Sequence, residues 1–121
     1  MTNPAKAKGT RWESDLKNYF NERGIPARRV AQSGQLDVGD IHGIDPFVGQ
    51  AKAYRSVVDG IREGVHGATV QAKRAGQPYG VAFVKRPGKS TADGYAVMDI
   101  ATFTRLLQHL QSEAATAAPT R

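Results

Sequence analysis

The chain has 121 residues, 40% apolar and 23% charged, which is enough for one domain around one hydrophobic core. It contains no cysteine, which excludes a disulfide framework and a thiolate metal site, and no apolar run long enough for a transmembrane helix. Seventeen Lys and Arg against 11 Asp and Glu give a formal net charge of +6, a balance that suits a polyanionic partner or simply a solvated basic surface. The polar, lysine-bearing head is followed by no apolar segment, so no signal peptide is expected.

The folded unit is expected over residues 9–111, between a flexible basic arm, 1–8, and a flexible tail, 112–121, rich in Ala, Thr and Pro. A helix is expected over Arg11–Arg23, because Trp12, Leu16, Tyr19 and Phe20 share one face, and Gly24 and Pro26 end it. A β-like stretch, Ala27–Gln32, and the turn residues Ser33 and Gly34 follow. Strands over Leu36–His42 and Phe47–Ala53, joined by a turn at Gly43–Pro46, are close enough in sequence to pair antiparallel.

A second helix is expected over Ser56–Ala75. Its glycines at 60, 64 and 67 each cost roughly 1 kcal/mol against Ala and call for a close approach or a bend. Continuous apolarity marks Tyr79–Lys85 as a central strand buried on both faces. A polar loop, Arg86–Gly94, leads to a short strand, Tyr95–Met98. Asp99 is a suitable N-cap for a last helix with Phe103, Leu106, Leu107 and Leu110 as its buried stripe. The order αβββαββα describes an α/β domain in which helices pack on one sheet.

Four polar positions carry possible chemistry: Glu13, Asp40, Gln50 and Lys52. Glu13 lies beside the apolar stripe of the first helix, Asp40 on the second strand, and Gln50 and Lys52 two apart on one face of the third. Pairing of the second and third strands would bring Asp40 to Gln50 and Lys52. Carboxylate and amide oxygens are hard ligands for Mg²⁺ or Mn²⁺, and a lysine beside them suits phosphodiester hydrolysis. Each residue also has a structural reading. Thr10-x-x-Glu13 reads as a helix capping box, Asp40 as a strand-end aspartate, and Gln50 and Lys52 as solvent-facing strand positions. Of the histidines, only His42 falls near the cluster, two residues after Asp40.

The motifs Lys8-Gly9-x-x-x-Glu13, Arg28-Arg29, Ser33-Gly34, Gly39-Asp40-Ile41 and Gln50-Ala51-Lys52 together resemble archaeal-type and phage Holliday-junction resolvases of the PD-(D/E)xK superfamily. The resemblance covers residues 8–52 by motif and the remainder by element order. It implies a restriction-endonuclease-like mixed sheet flanked by helices, with residues 9–111 forming a nuclease domain. It also implies that Glu13, Asp40 and Gln50 bind Mg²⁺ or Mn²⁺, that Lys52 is the catalytic lysine, and that Ser33 lies near the site and the DNA backbone. Two departures stand out: Gly39 takes the place of a proline, and Gln50 that of an acid, whose charge the nearby Asp37 or Asp45 could supply.

Lys8, Arg11, Arg28, Arg29 and Arg55, with Ser33, are the expected DNA contacts, whereas Lys17 and Lys73 read as solvated surface. No sequence-reading motif is visible, which fits recognition of DNA shape. Cutting two strands of a four-way junction implies a homodimer, for which the small residues of the second helix are one candidate face. The resemblance places the protein in the cytoplasm of a prokaryotic or phage-infected cell, without a membrane. A nuclease acting on other branched or duplex DNA, and a non-catalytic DNA-binding relic of the same fold, stand as alternatives. Gln50 favours the relic, and the combination of Glu13, Asp40 and Lys52 speaks against it.

Overall fold

The structure, a computed structural model, describes residues 3–30 and 37–117. It is an α/β domain with one open five-stranded mixed sheet and three long helices. The elements are α1 (Pro4–Asn21), β1 (Arg28–Arg29), β2 (Ile41–Ile44), β3 (Phe47–Lys52), α2 (Val57–Arg74), β4 (Tyr79–Val84), a single 3₁₀ turn (Thr91–Asp93), β5 (Tyr95–Val97) and α3 (Ile100–Ala117). The strands lie in sequence order. All neighbours are antiparallel except β3 and β4, which run parallel because α2 carries the chain back across the sheet.

Helix α1 begins at Pro4, well before the expected start, so the segment 4–8 read as a loose arm is helical. The signal is Asn3-Pro4: the Asn3 side chain accepts hydrogen bonds from the backbone N–H groups of Ala5 and Lys6, and Pro4 supplies the φ of a first helical residue. Thr10 is therefore mid-helix, and the capping-box reading of Thr10 and Glu13 does not hold. Trp12 and Leu16 face the sheet, where they join Ala27, Ile41, Val81 and Phe83 in the core. The buried indole N–H of Trp12 donates to Phe83 O at 2.9 Å, so the largest core side chain leaves no polar group unsatisfied.

Alternation along β4 separates the two faces of the sheet. Val81 and Phe83 pack with α1, and Ala82 and Val84 pack with α2. The expected close approach in α2 is here. A Cβ added at Gly64 would stand 2.8 Å from Ala82 Cβ and 3.2 Å from Lys52 Cγ, so only a glycine lets the helix lie this near β3 and β4. Gly60, Gly64 and Ala68 are buried against the protein's own sheet, which removes this face as the candidate dimer surface.

The strand expected over Leu36–His42 starts only at Ile41. Gly39 adopts φ +97, which interrupts the extended run and leaves Asp40 at the mouth of β2. A proline is excluded there, because its ring fixes φ near −65°. The stretch expected over Ala27–Gln32 is regular strand only at Arg28–Arg29, and Ala31–Leu36, including Ser33, lie outside the described residues.

Helix α3 continues to Ala117, through most of the expected tail. Most of its expected stripe is not buried: Phe103, Leu107 and Leu110 are exposed, Leu106 is half-buried, and Thr102 is the helix's buried residue. Amphipathic spacing identifies an apolar face, but it does not say that the same chain covers it. Among the described residues, no helix is long and apolar enough to cross a membrane.

Asp99 caps α3 as expected, its Oδ1 accepting from Thr102 N–H at 2.7 Å. Thr102, through its hydroxyl and its backbone N–H, holds the Asp99 carboxyl below its ordinary value. Asp99→Ala is expected to cost about 1 kcal/mol, a drop in Tm of roughly 4 °C read by thermal unfolding. Because the folded pKa is the lower one, this stabilisation is present above the unfolded value of about 3.9 and disappears as pH falls through the folded value. The gap between wild type and variant should therefore close in acid.

Candidate functional site

The candidate site lies where β2 parts from β3. Ile41 pairs with Gly49 and Ile44 with Phe47, but no β2 residue pairs with Gln50–Lys52. At this point the Asp40 side chain takes over from the ladder. Asp40 Oδ2 accepts from Ala51 N–H at 2.8 Å, and Asp40 N–H donates to Gly49 O at 2.9 Å. The aspartate is thus clamped to the backbone on either side of Gln50, with its carboxylate beside the residues expected to share its chemistry.

Glu13 reaches the same region from α1. Its Oε1 accepts from Arg29 Nε at 3.2 Å in a half-exposed ion pair. Burial pushes the Glu13 carboxyl above its ordinary value, and the nearby Asp40 carboxylate pushes it further, against the hydrogen bond and charge of Arg29. Two carboxylates therefore stand close enough to repel, with one arginine as partial compensation.

Gln50 is 7% exposed, and its Oε1 is buried without a hydrogen-bond donor from the described residues. Gln71 Oε1, on α2, is in the same condition. The reading of Gln50 as a solvent-facing strand residue is therefore wrong. A neutral amide costs less to bury at this position than a carboxylate would. Glu13 and Asp40 bring two carboxylates together, oxygen ligands of the hard kind that suits Mg²⁺ or Mn²⁺, and Gln50 adds a buried amide oxygen on β3 one residue from Ala51, to which Asp40 is bonded. No group of three His, Cys, Asp or Glu side chains able to hold a metal is found among the described residues.

Neither spare aspartate is seen to make up the charge. Asp37 accepts from Gly39 N–H at 2.9 Å and from Gln71 Nε2 at 2.7 Å. Asp45 accepts from Gln77 Nε2 at 3.0 Å beyond the other end of β3. His42 Nε2 lies 2.8 Å from Val38 O, a backbone partner.

The Lys52 stem passes beside Gly60 and Gly64 of α2, and its Nζ lies 5.5 Å from the centre of the Tyr54 ring. It opens into a cleft of about 640 Å³ between the first turns of α1 and α2, where Lys8 and Arg55 are further walls. Two helix N-termini, each a partial positive charge, converge on these three cations. Sequence reasoning missed both Tyr54 and the contribution of α1's first turn, although Asn3-Pro4 signals the latter. Arg11 and Arg28 are exposed, and Arg29 is engaged by Glu13. No family model, curated protein or solved structure matches the chain.

The Asp40–Ala51 bond changes what a truncation at Asp40 would report. Asp40→Ala strands a part-buried strand N–H and is expected to lower stability by about 1–3 kcal/mol in urea unfolding. Asp40→Asn keeps an oxygen acceptor there and should lose less than half of that. Equal losses for both would mean that the carboxylate charge, not the hydrogen bond, holds the strand.

Proposed function

We propose that this protein is a metal-dependent endodeoxyribonuclease of the PD-(D/E)xK type that hydrolyses phosphodiester bonds in branched DNA, with four-way junctions as the leading substrate. The observation that carries the reading is the close pair of carboxylates Glu13 and Asp40, with Asp40 bonded to the N–H of Ala51, which with its neighbour Lys52 lines a cleft together with Lys8 and Arg55. An acid pair that repels itself gains from a divalent cation, and a cleft of three cations and two helix N-termini, whose one acid, Asp59, is paired with Arg62, gains from a phosphate backbone.

In this reading Glu13, Asp40 and Gln50 would hold Mg²⁺ or Mn²⁺, which supplies an activated water and a Lewis acid when bound. Asp40 keeps its place because its second role, bonding Ala51 N–H, fixes the carboxylate against rotation. Lys52 would place its ammonium group against the scissile phosphate and stabilise charge that develops there. Its stem, confined between β3 and the glycines of α2, limits where that group can go. Lys8 and Arg55 would position the backbone on either side, and Arg29 would tune Glu13 through their ion pair.

One set of contacts favours a second reading. Glu13 and Asp40 each already have a structural partner, Arg29 and Ala51, and Gln50 carries no charge. A DNA-binding module without cleavage would use the same cleft.

The test is gel-resolved cleavage of matched four-way junction, flap and linear duplex DNA with Mg²⁺, Mn²⁺ or EDTA. Metal-dependent paired cuts in the junction are expected, and Asp40→Asn and Lys52→Met should each slow them by roughly 10²-fold or more, with DNA affinity changed far less by Asp40→Asn. Cleavage of all three substrates would keep the nuclease and remove the junction preference. Tight binding with no cleavage under any metal would establish the second reading.

A further inference from the structure

Glycine crosses between positive and negative φ at little cost, so the φ of +97 that delivers Asp40 to Ala51 is held by the surroundings of Gly39 rather than by the residue itself. Each of the three residues before Asp40 is tethered. Gly39 N–H donates to Asp37 Oδ1 at 2.9 Å, and Val38 O lies 2.8 Å from His42 Nε2. Asp37 is in turn gripped by the last turns of α2. Gln71 Nε2 donates to Asp37 Oδ2 at 2.7 Å, and an Arg74 guanidinium nitrogen donates to Asp37 O at 3.3 Å.

Of the two α2 residues, Gln71 is the one with a fixed place. It is 7% exposed, whereas Arg74 is an exposed side chain. The Gln71 amide folds back along its own helix over Gly67. A Cβ added at Gly67 would stand 3.2 Å from Gln71 Nε2, so the third glycine of α2 leaves room for the amide in the place from which it reaches Asp37. The bond is charge-assisted, a neutral N–H on a carboxylate, and a buried amide that lost it would leave its donor stranded.

We propose that Gln71 is a positioning residue for Asp40. It fixes Asp37, Asp37 fixes the turn at Gly39, and the turn sets the carboxylate that accepts from Ala51 N–H. Helix α2 thereby governs the placement of an acid that Gln71 reaches only through Asp37 and Gly39. The consequence for metal binding rests on the reading of Asp40 as a ligand, but the placement of Asp40 does not.

Amide hydrogen exchange of the full, metal-free chain reads that placement directly. Gln71→Met keeps the volume and removes the donor. It should speed exchange of the Gly39 and Ala51 N–H groups by roughly tenfold, while Val81 and Ala82 in β4 keep their wild-type rates. Calorimetric titration should show Mn²⁺ affinity lower by roughly tenfold in the same variant. Gln71→Glu sets carboxylate against carboxylate and should loosen the turn at least as much. Combining it with Asp37→Asn gives the new carboxylate an amide N–H to accept from, and should bring both readouts back to within about threefold of wild type. Wild-type exchange at Gly39 and Ala51 in Gln71→Met would overturn the proposal. So would faster exchange spread evenly over the sheet, which would assign Gln71 to packing alone, or a double variant as loose as Gln71→Glu. Wild-type protein that takes up no Mn²⁺ would remove the metal reading, and the exchange rates would still decide whether Gln71 places Asp40.

Discussion

The hydrogen bond from Ala51 N–H to the Asp40 carboxylate is the constraint on which the candidate site depends. β3 is saturated on its β4 side over its whole length, but β2 leaves it after Gly49. A strand N–H left without an acceptor at that point would be costly, and the carboxylate removes the cost while the strands separate. The left-handed turn at Gly39 delivers Asp40 to this position, which is why a glycine rather than a proline precedes it. One interaction thus ends the ladder, opens the gap between β2 and β3, and sets a charged oxygen beside Gln50 and Lys52.

The opposite face of the sheet is governed by a different requirement. Small residues in α2 bring its backbone close to β3 and β4, burying Gln50 and confining Lys52. An amide costs less than a carboxylate to bury at position 50. Among the described residues, burial also leaves the Gln50 and Gln71 amide oxygens without a donor, a condition that native interiors usually relieve with a water, a ligand or an ion. The packing of α2 on β3 and β4 thus also fixes the surroundings of Gln50 and Lys52, while Glu13 comes from α1 on the other face.

Much of the architecture was legible in the residues. Unbroken apolarity marked β4, Ser56 and Ala75 bounded α2, and Asp99 marked the start of α3, because in each case local chemistry and tertiary position ask for the same thing. The start of α1 was missed because a polar, lysine-bearing segment gives no periodicity, and only the Asn3 cap and Pro4 reveal it. The displacement of β2 was hidden because a glycine inside a strand-like run does not disclose the sign of its φ. The outward face of α3 was misassigned for a more general reason. Periodicity shows which residues share a face, whereas the partner of that face depends on the rest of the fold. At the site, the approach of Glu13 to Asp40 was legible from motif order, but the Arg29 ion pair and the burial of Gln50 depend on three-dimensional neighbours.

The central claim is that Glu13, Asp40 and Gln50 act together as a divalent-cation site. Calorimetric titration with Mn²⁺ tests it without any assumption about the DNA substrate. The account predicts one site per chain, at least tenfold weaker in Glu13→Gln and Asp40→Asn and as tight or tighter in Gln50→Glu. Wild-type protein that takes up no Mn²⁺, or binding that is indifferent to all three substitutions, would contradict it.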